Sequence, residues 1–185
     1  MASQWAEGGT GAAPAEFSNR LGTPCLEATY YIHQVLVGAG IRDSIQLVSS
    51  GHTASGFDML EKLLVGANTV NAARAMMMAV GCVQAKACNT NKCPTGVATQ
   101  DPVEDKALRV KNFHHGTLHA CFELCGAMGY TNPDDPSPAD LFCRYNEGLK
   151  NFDQIYEPLI EGQLFSENLP TSYRDDWHRA SAKHF

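Results

Sequence analysis

The chain has 185 residues, enough for about one domain and short of the roughly 200 to 250 residues of a complete (β/α)8 barrel. Hydrophobic residues make up 44% and charged residues 18%, a balance that excludes a disordered polyelectrolyte. Fourteen basic against 20 acidic residues leave a formal net charge of −6 without any Lys/Arg run, which argues against nucleic acid or an anionic membrane surface as the partner.

From Met1 to Gly22 the residues are small and aperiodic, with Gly8-Gly9-Thr10-Gly11-Ala12-Ala13-Pro14 at the centre, and read as a loop. The first residues carry no basic start and no apolar run of the secretory kind. A helix follows from Thr23, read as N-cap, through Pro24 at the first helical position to Gly38, with Leu26, Tyr30, His33 and Val37 on one face. Ile45 to Ser50 has the β-branched and apolar content of a short strand and runs directly into Gly51. A second helix is capped by Ser55 with Asp58 three positions on, buries Phe57, Leu60, Leu63 and Leu64, and stops at Gly66. Asn68 to Asn71 reads as a second strand, leading into Ala72-Ala73-Arg74 and the apolar run Met76 to Val80.

Strands alternating with helices imply βαβ units and a parallel sheet. Two strands cannot close a barrel or hide their own edges, so the chain is expected to be part of a larger unit. A long helix is predicted over Glu104 to Met128, then a turn-rich stretch from Thr131 to Pro138, then an aromatic, acidic tail from Asn151 that wraps a surface. No apolar stretch reaches the roughly 20 residues that span a bilayer.

Seven cysteines, an odd number, fit a reducing compartment such as the cytoplasm better than a disulfide framework. Three of them, Cys82, Cys88 and Cys93, follow the spacing C-x5-C-x4-C-P. One loop can wrap a single inorganic centre at that spacing, and a proline after the last ligand recurs in iron-sulfur loops. Three thiols without a nearby fourth suit a three-iron cluster better than zinc, which takes four ligands in structural sites. Three small buried hydrophobes are the alternative. His114, His115 and His119 with Cys121 and Cys125 do not make a convincing zinc site. At about 100° per residue His115 and His119 point away from the two cysteines, and His114 lies about 16 Å along the axis from Cys125. Cys121 and Cys125 are expected in the core beside Leu118 and Met128, with Cys25 and Cys143 read the same way.

Both strands end in loops of small residues, Ser49-Ser50-Gly51-His52 and Asn71-Ala72-Ala73-Arg74. Such loops let backbone N–H groups approach a phosphate, as in the loops after strands seven and eight of (β/α)8 barrels. Taken alone they are equally well two ordinary βα turns.

Taken together, the Gly8 to Pro14 segment, Gly40-Ile41-Arg42-Asp43, Ser55-Gly56-Phe57-Asp58, Asn71 to Met76, and the block from Gly81-Cys82 through Cys93-Pro94 to Thr99-Gln100-Asp101-Pro102 closely resemble the FMN-binding synthase domain of glutamate synthases. The resemblance implies a truncated (β/α)8 barrel carrying its last strands and an iron-sulfur loop over residues 1–130, with a C-terminal extension over 131–185 packed on it. It implies FMN and a [3Fe-4S] cluster as cofactors. Cys82, Cys88 and Cys93 would hold the cluster, and Ser50, Gly51, His52, Ala73 and Arg74 would line the FMN phosphate. Gly8, Gly9 and Thr10 would form the loop after strand six, near the flavin. The implied reaction is hydride transfer from reduced FMN to 2-iminoglutarate, made from 2-oxoglutarate and ammonia, with ammonia or glutamine as nitrogen source. Electrons would come from ferredoxin or a pyridine nucleotide subunit.

The chain departs from the family where a lysine or arginine is common beside the first phosphate turn and His52-Thr53 stands instead, implying a weaker or pH-dependent hold on phosphate. Strands one to six would have to come from a missing N-terminal barrel half. The start Met1-Ala2-Ser3 offers no cysteine nucleophile for glutaminase chemistry. The chain is therefore expected to be inactive alone. The competing reading is a non-catalytic remnant that keeps the cluster for electron transfer or interaction.

Overall fold

The computed structural model describes Glu16, residues 21–100 and residues 106–183. The predicted loop at Gly8, Gly9 and Thr10 and the predicted helix start at Glu104 lie outside them. The described chain is mixed α/β, with two small two-stranded sheets.

Helix α1 spans Cys25–Gly38. Its cap is Pro24, whose extended backbone (ψ 149°) cannot belong to the helix, so Thr23 lies one residue too early and no side chain caps the end. Strand β1 is Val48–Ser50, half the length expected. The residues before it are bonded elsewhere: Arg42–Ser44 forms a 3-10 turn, Arg42 donates to the Ile45 carbonyl at 2.8 Å, and the Leu47 N–H donates to the Asn68 side chain. Helix α2 (Gly56–Leu64) leads to β2 (Thr69–Asn71), which pairs parallel to β1 with Ser50 opposite Asn71. Helix α3 covers Arg74–Ala79.

Both ends of α2 are closed by the residues the sequence marks. Ser55 Oγ accepts from the Asp58 N–H while Asp58 accepts from the Ser55 N–H at 2.8 Å, a reciprocal capping box. At the other end the Gly66 N–H reaches the Leu63 carbonyl and the Ala67 N–H reaches that of Lys62, with Gly66 at φ +101°, a Schellman turn. Gly66 is also fixed by its neighbour, because a Cβ there would lie 2.3 Å from the His33 ring. Leu60 and Leu64 are buried as expected, but Phe57 is 54% exposed. The reason is Gly56: a Cβ on it would meet the Cys121 backbone nitrogen at 2.5 Å, so the helix turns its 56, 60, 64 face inward and Phe57 sits about 100° round from it.

Helix α4 (Ala107–Ala127) packs on α2 through the stripe Thr117, Cys121 and Cys125. The two cysteines are core residues, whereas Met128 is 38% exposed beyond the helix end. All seven cysteines are free thiols. Among the described residues no helix is long and apolar enough to cross a membrane.

The C-terminal segment holds an antiparallel hairpin, β3 (Phe142–Tyr145) with β4 (Gly148–Asn151), that its sequence did not announce. Asn146 turns it at φ +53°. Short helix α5 (Phe152–Ile155) and helix α6 (Thr171–Arg179) follow. Helix α1 is the seam between two cores. Tyr30 joins Leu60, Leu64, Val65, Cys121, Leu141 and Phe152, while Tyr31 and Val35 pack against Leu159, Leu164, Leu169 and Tyr173. Gly38 permits this approach, since a Cβ there would lie 2.7 Å from Leu159. Burying each Leu or Phe of these cores is worth about 1.5–3 kcal/mol.

The sheet is covered on one side. Ser49 is buried against α1, its hydroxyl 2.9 Å from Thr29 Oγ1 and 3.2 Å from Cys25 Sγ. Val48 on the opposite face is 43% exposed, and its register partner Thr69 is exposed too. An apolar side chain outward and a hydroxyl inward is the reverse of what water dictates for a complete two-layer structure.

Candidate functional site at the strand ends

Because β1 and β2 run parallel in register, their C-terminal ends lie side by side and deliver both following loops to one place. There a pocket of about 420 Å³ opens. Ser50, Gly51 and His52 line it from the first loop, Ala73 and Arg74 from the second, so all five strand-end residues singled out by the sequence meet. Thr53, Ala54, Asn71, Ala75, Met78, Ala79 and Phe113 complete the lining. Phe113 comes from α4, some forty residues further along the chain, and no local pattern announces it.

The chemistry of this lining is one-sided: one arginine, one histidine, hydroxyls and an amide, without a carboxylate. Among the described residues the side chains of Ser50, His52, Asn71 and Arg74 make no hydrogen bond or ion pair, so four donor-bearing groups stand unengaged around one space. His52 takes the left-handed backbone (φ +42°), uncommon for a residue with a side chain, and Thr53 closes the turn by donating to the Gly51 carbonyl at 3.3 Å. Unengaged donors of net positive charge beside an apolar wall suit an anion attached to a flat apolar body.

The cysteine loop is organised differently. Among the described residues between α3 and α4, a single 3-10 turn, Cys88–Thr90, interrupts irregular chain. Gln84, Lys86 and Asn91 all adopt positive φ. Asn91 ties the loop back on itself, accepting from the Gln100 N–H at 2.7 Å and from Thr99 at 3.2 Å, and Lys106 donates to the Thr95 carbonyl. Cys93 lies against the backbone N–H groups of Ala98, Thr95 and Val97 and the Thr95 hydroxyl, which together bring its thiol down to about 6. That is a thiolate at neutral pH, the form that binds metal. Cys88, in contrast, is exposed, and Cys82 accepts from the Gln84 N–H at 3.4 Å. Among the described residues no three His, Cys, Asp or Glu side chains are placed to hold a metal ion, and the thiols of Cys82, Cys88 and Cys93 do not form such a group. The donor chemistry at Cys93 suits an iron centre; the placement of the trio does not.

A larger cleft of about 540 Å³ lies between α1 and the C-terminal segment. Three of its tyrosines are occupied: Tyr30 donates to Asp153, Tyr31 to Asp176 and Tyr173 to the Glu157 carbonyl. Burial and the adjoining carboxylate push Tyr31 up to about 12, and burial raises Tyr30 and Tyr173 further, so these hydroxyls stay protonated packing groups.

The family profile described as a conserved region in glutamate synthase matches residues 4–131. The chain belongs to the glutamate synthase family. Among its relatives, the glutamate synthase large subunit-like protein YerD of Bacillus subtilis is 34% identical over 162 residues, 83% of this chain and 31% of the relative. The glutamate synthase [NADPH] large chain of Bacillus subtilis is 38% identical over 134 residues, and ferredoxin-dependent glutamate synthase 2 of Synechocystis is 32% identical over 134. Each of these two alignments covers 70% of this chain and 9% of the relative. The chain thus spans less than a third of the length of the glutamate synthases it matches.

Proposed function

We propose that this chain forms the C-terminal part of the FMN-binding barrel of a glutamate synthase, with β1 and β2 as its last two strands and the strand-end pocket as the seat of the FMN phosphate. The observation that carries the reading is the convergence of Ser50, Gly51, His52, Ala73 and Arg74 on one carboxylate-free pocket with unengaged donors. Arg74 supplies fixed positive charge, Ser50 and Asn71 supply neutral donors, and Phe113 and Met78 exclude water from one side, which strengthens each charged hydrogen bond. FMN, when bound and reduced, supplies a hydride, which in glutamate synthesis is delivered to 2-iminoglutarate formed from 2-oxoglutarate and ammonia. Further strands of the same barrel cover the open face at Val48 and Thr69, which leaves this chain without catalysis of its own. The resemblance assigns a [3Fe-4S] cluster to Cys82, Cys88 and Cys93; as the loop stands those thiols do not fit it, and no step is derived through it. Electrons come from ferredoxin or NADPH, the donors named among the relatives. The free thiols suit a reducing compartment such as the cytoplasm.

The test is a comparison of FMN with riboflavin, titrated against the full chain and against Arg74→Ala. A charge-assisted contact worth about 1.5–3 kcal/mol predicts FMN binding at least roughly tenfold tighter than riboflavin, a preference that Arg74→Ala removes and inorganic phosphate competes away. Equal binding of the two flavins would refute the phosphate seat.

A further inference from the structure

The buried stripe of α4 is Thr117, Cys121 and Cys125. His115 and His119 precede the first two of these by two residues, about 200° round the helix, and so stand on its outer face. Four residues apart, they share one line along that face. Their rings lie side by side, centroids 6.4 Å apart and planes within 27° of parallel. One turn further on, Glu123 places Oε2 3.3 Å from His119 Nδ1, with the two side chains 70% and 63% exposed respectively. A carboxylate beside Nδ1 favours the tautomer that carries its proton there and leaves the lone pair on Nε2, as behind metal-bound histidines. Among the described residues His115 makes no hydrogen bond, so its nitrogens are available as well.

From this geometry we infer that His115 and His119 chelate a divalent transition-metal ion of the imidazole-preferring class (nickel, copper(II), zinc) on the outer surface of α4, with Glu123 as the positioning residue. Two histidines at i and i+4 on a helix share one face, and rotation of these exposed side chains out of their stacked arrangement brings one nitrogen of each onto a common ion. Among the described residues no third His, Cys, Asp or Glu joins them to complete a metal-holding group, so water fills the remaining positions and the ion is held exchangeably. The site is separate from the strand-end pocket and does not depend on the flavin reading.

Equilibrium dialysis of the full chain against Ni²⁺ tests it, with Cys82, Cys88 and Cys93 present in every variant so that their contribution cancels. The wild type is expected to bind one equivalent more than His115→Asn/His119→Asn. Glu123→Gln is expected to weaken that equivalent by about tenfold, and His114→Asn, about 100° away round the helix, to leave it unchanged. An unaltered stoichiometry in the double variant, or an equal loss in His114→Asn, would overturn the site. An unaltered affinity in Glu123→Gln would overturn the role of Glu123.

Discussion

The strand-end pocket and the cysteine loop are neighbours in sequence and opposites in construction. The pocket loops leave two strands locked in register and enter two helices, so the positions of Ser50 to His52 and of Ala73 and Arg74 follow from backbone hydrogen bonds. The cysteine loop runs some eighteen residues with one 3-10 turn, held by Asn91 and Lys106 rather than by a ladder. A pocket framed by regular structure exists before its ligand arrives. A loop built from positive-φ residues and side-chain ties has no internal reason to gather three sulfurs; that requires the centre it wraps.

The contrast can be broken most decisively at the cysteine loop. With the three sulfurs not gathered, anaerobic incubation with iron and sulfide is expected to leave the chain colourless and EPR-silent. Sulfur-to-iron charge-transfer absorption and an EPR signal, both abolished by Cys93→Ser and accompanied by slowed amide exchange over residues 82–99, would show instead that an iron centre gathers the loop around itself.

Next in size is the frame itself. Gly66→Ala meets both a left-handed backbone and the His33 ring, and is expected to cost about 3 kcal/mol or more in denaturant unfolding. A loss under about 1 kcal/mol, the size of an ordinary surface change, would mean that this turn does not hold β2 in place.

Smaller effects sharpen the picture at the helix ends. Ser55→Ala is expected to cost about 1 kcal/mol through the lost cap. The Asp58 carboxyl is held below its ordinary value of 3.8 by the Ala54 and Ser55 N–H groups and the Ser55 hydroxyl, which outweigh partial burial. Backbone and hydroxyl donors at Ser137, with the Tyr130 hydroxyl, do the same for Asp140. Both contributions are present above that ordinary value and are lost as pH falls through the lower folded one. Burial and the Arg42 guanidinium push His33 below its ordinary 6.5, and Arg42 Nε donates to His33 Nδ1 at 2.9 Å, a bond only the neutral ring can accept. The unfolded chain therefore takes up a proton first, and stability falls as pH drops below 6.5. A two-stage acid limb is expected, its upper stage removed by His33→Gln; a single stage near pH 4 in the wild type would contradict the His33–Arg42 contact.

What the sequence made legible follows the same division. The Ser55/Asp58 box and the Gly66 stop are chemistry within three residues, readable without tertiary knowledge. So are the small residues at the strand ends that meet in the pocket. Phe57 misled because Gly56 against α4 sets the buried face of α2, and Ile45 to Leu47 because Arg42 and Asn68 take the backbone bonds a longer strand would have used. Phe113 enters the pocket from a distant helix, and the hairpin over Phe142 to Asn151 rests on packing by Leu141 and Phe152 against α1 rather than on alternation of its own.

The most direct measurement is amide chemical-shift mapping of the full chain titrated with FMN. The phosphate seat predicts saturable shifts centred on Ser50 to Thr53 and Ala73 to Ala75, reproduced in part by inorganic phosphate and absent with riboflavin. Shifts concentrated instead in the tyrosine-lined cleft beside α1, or a spectrum that does not respond to FMN, would contradict it.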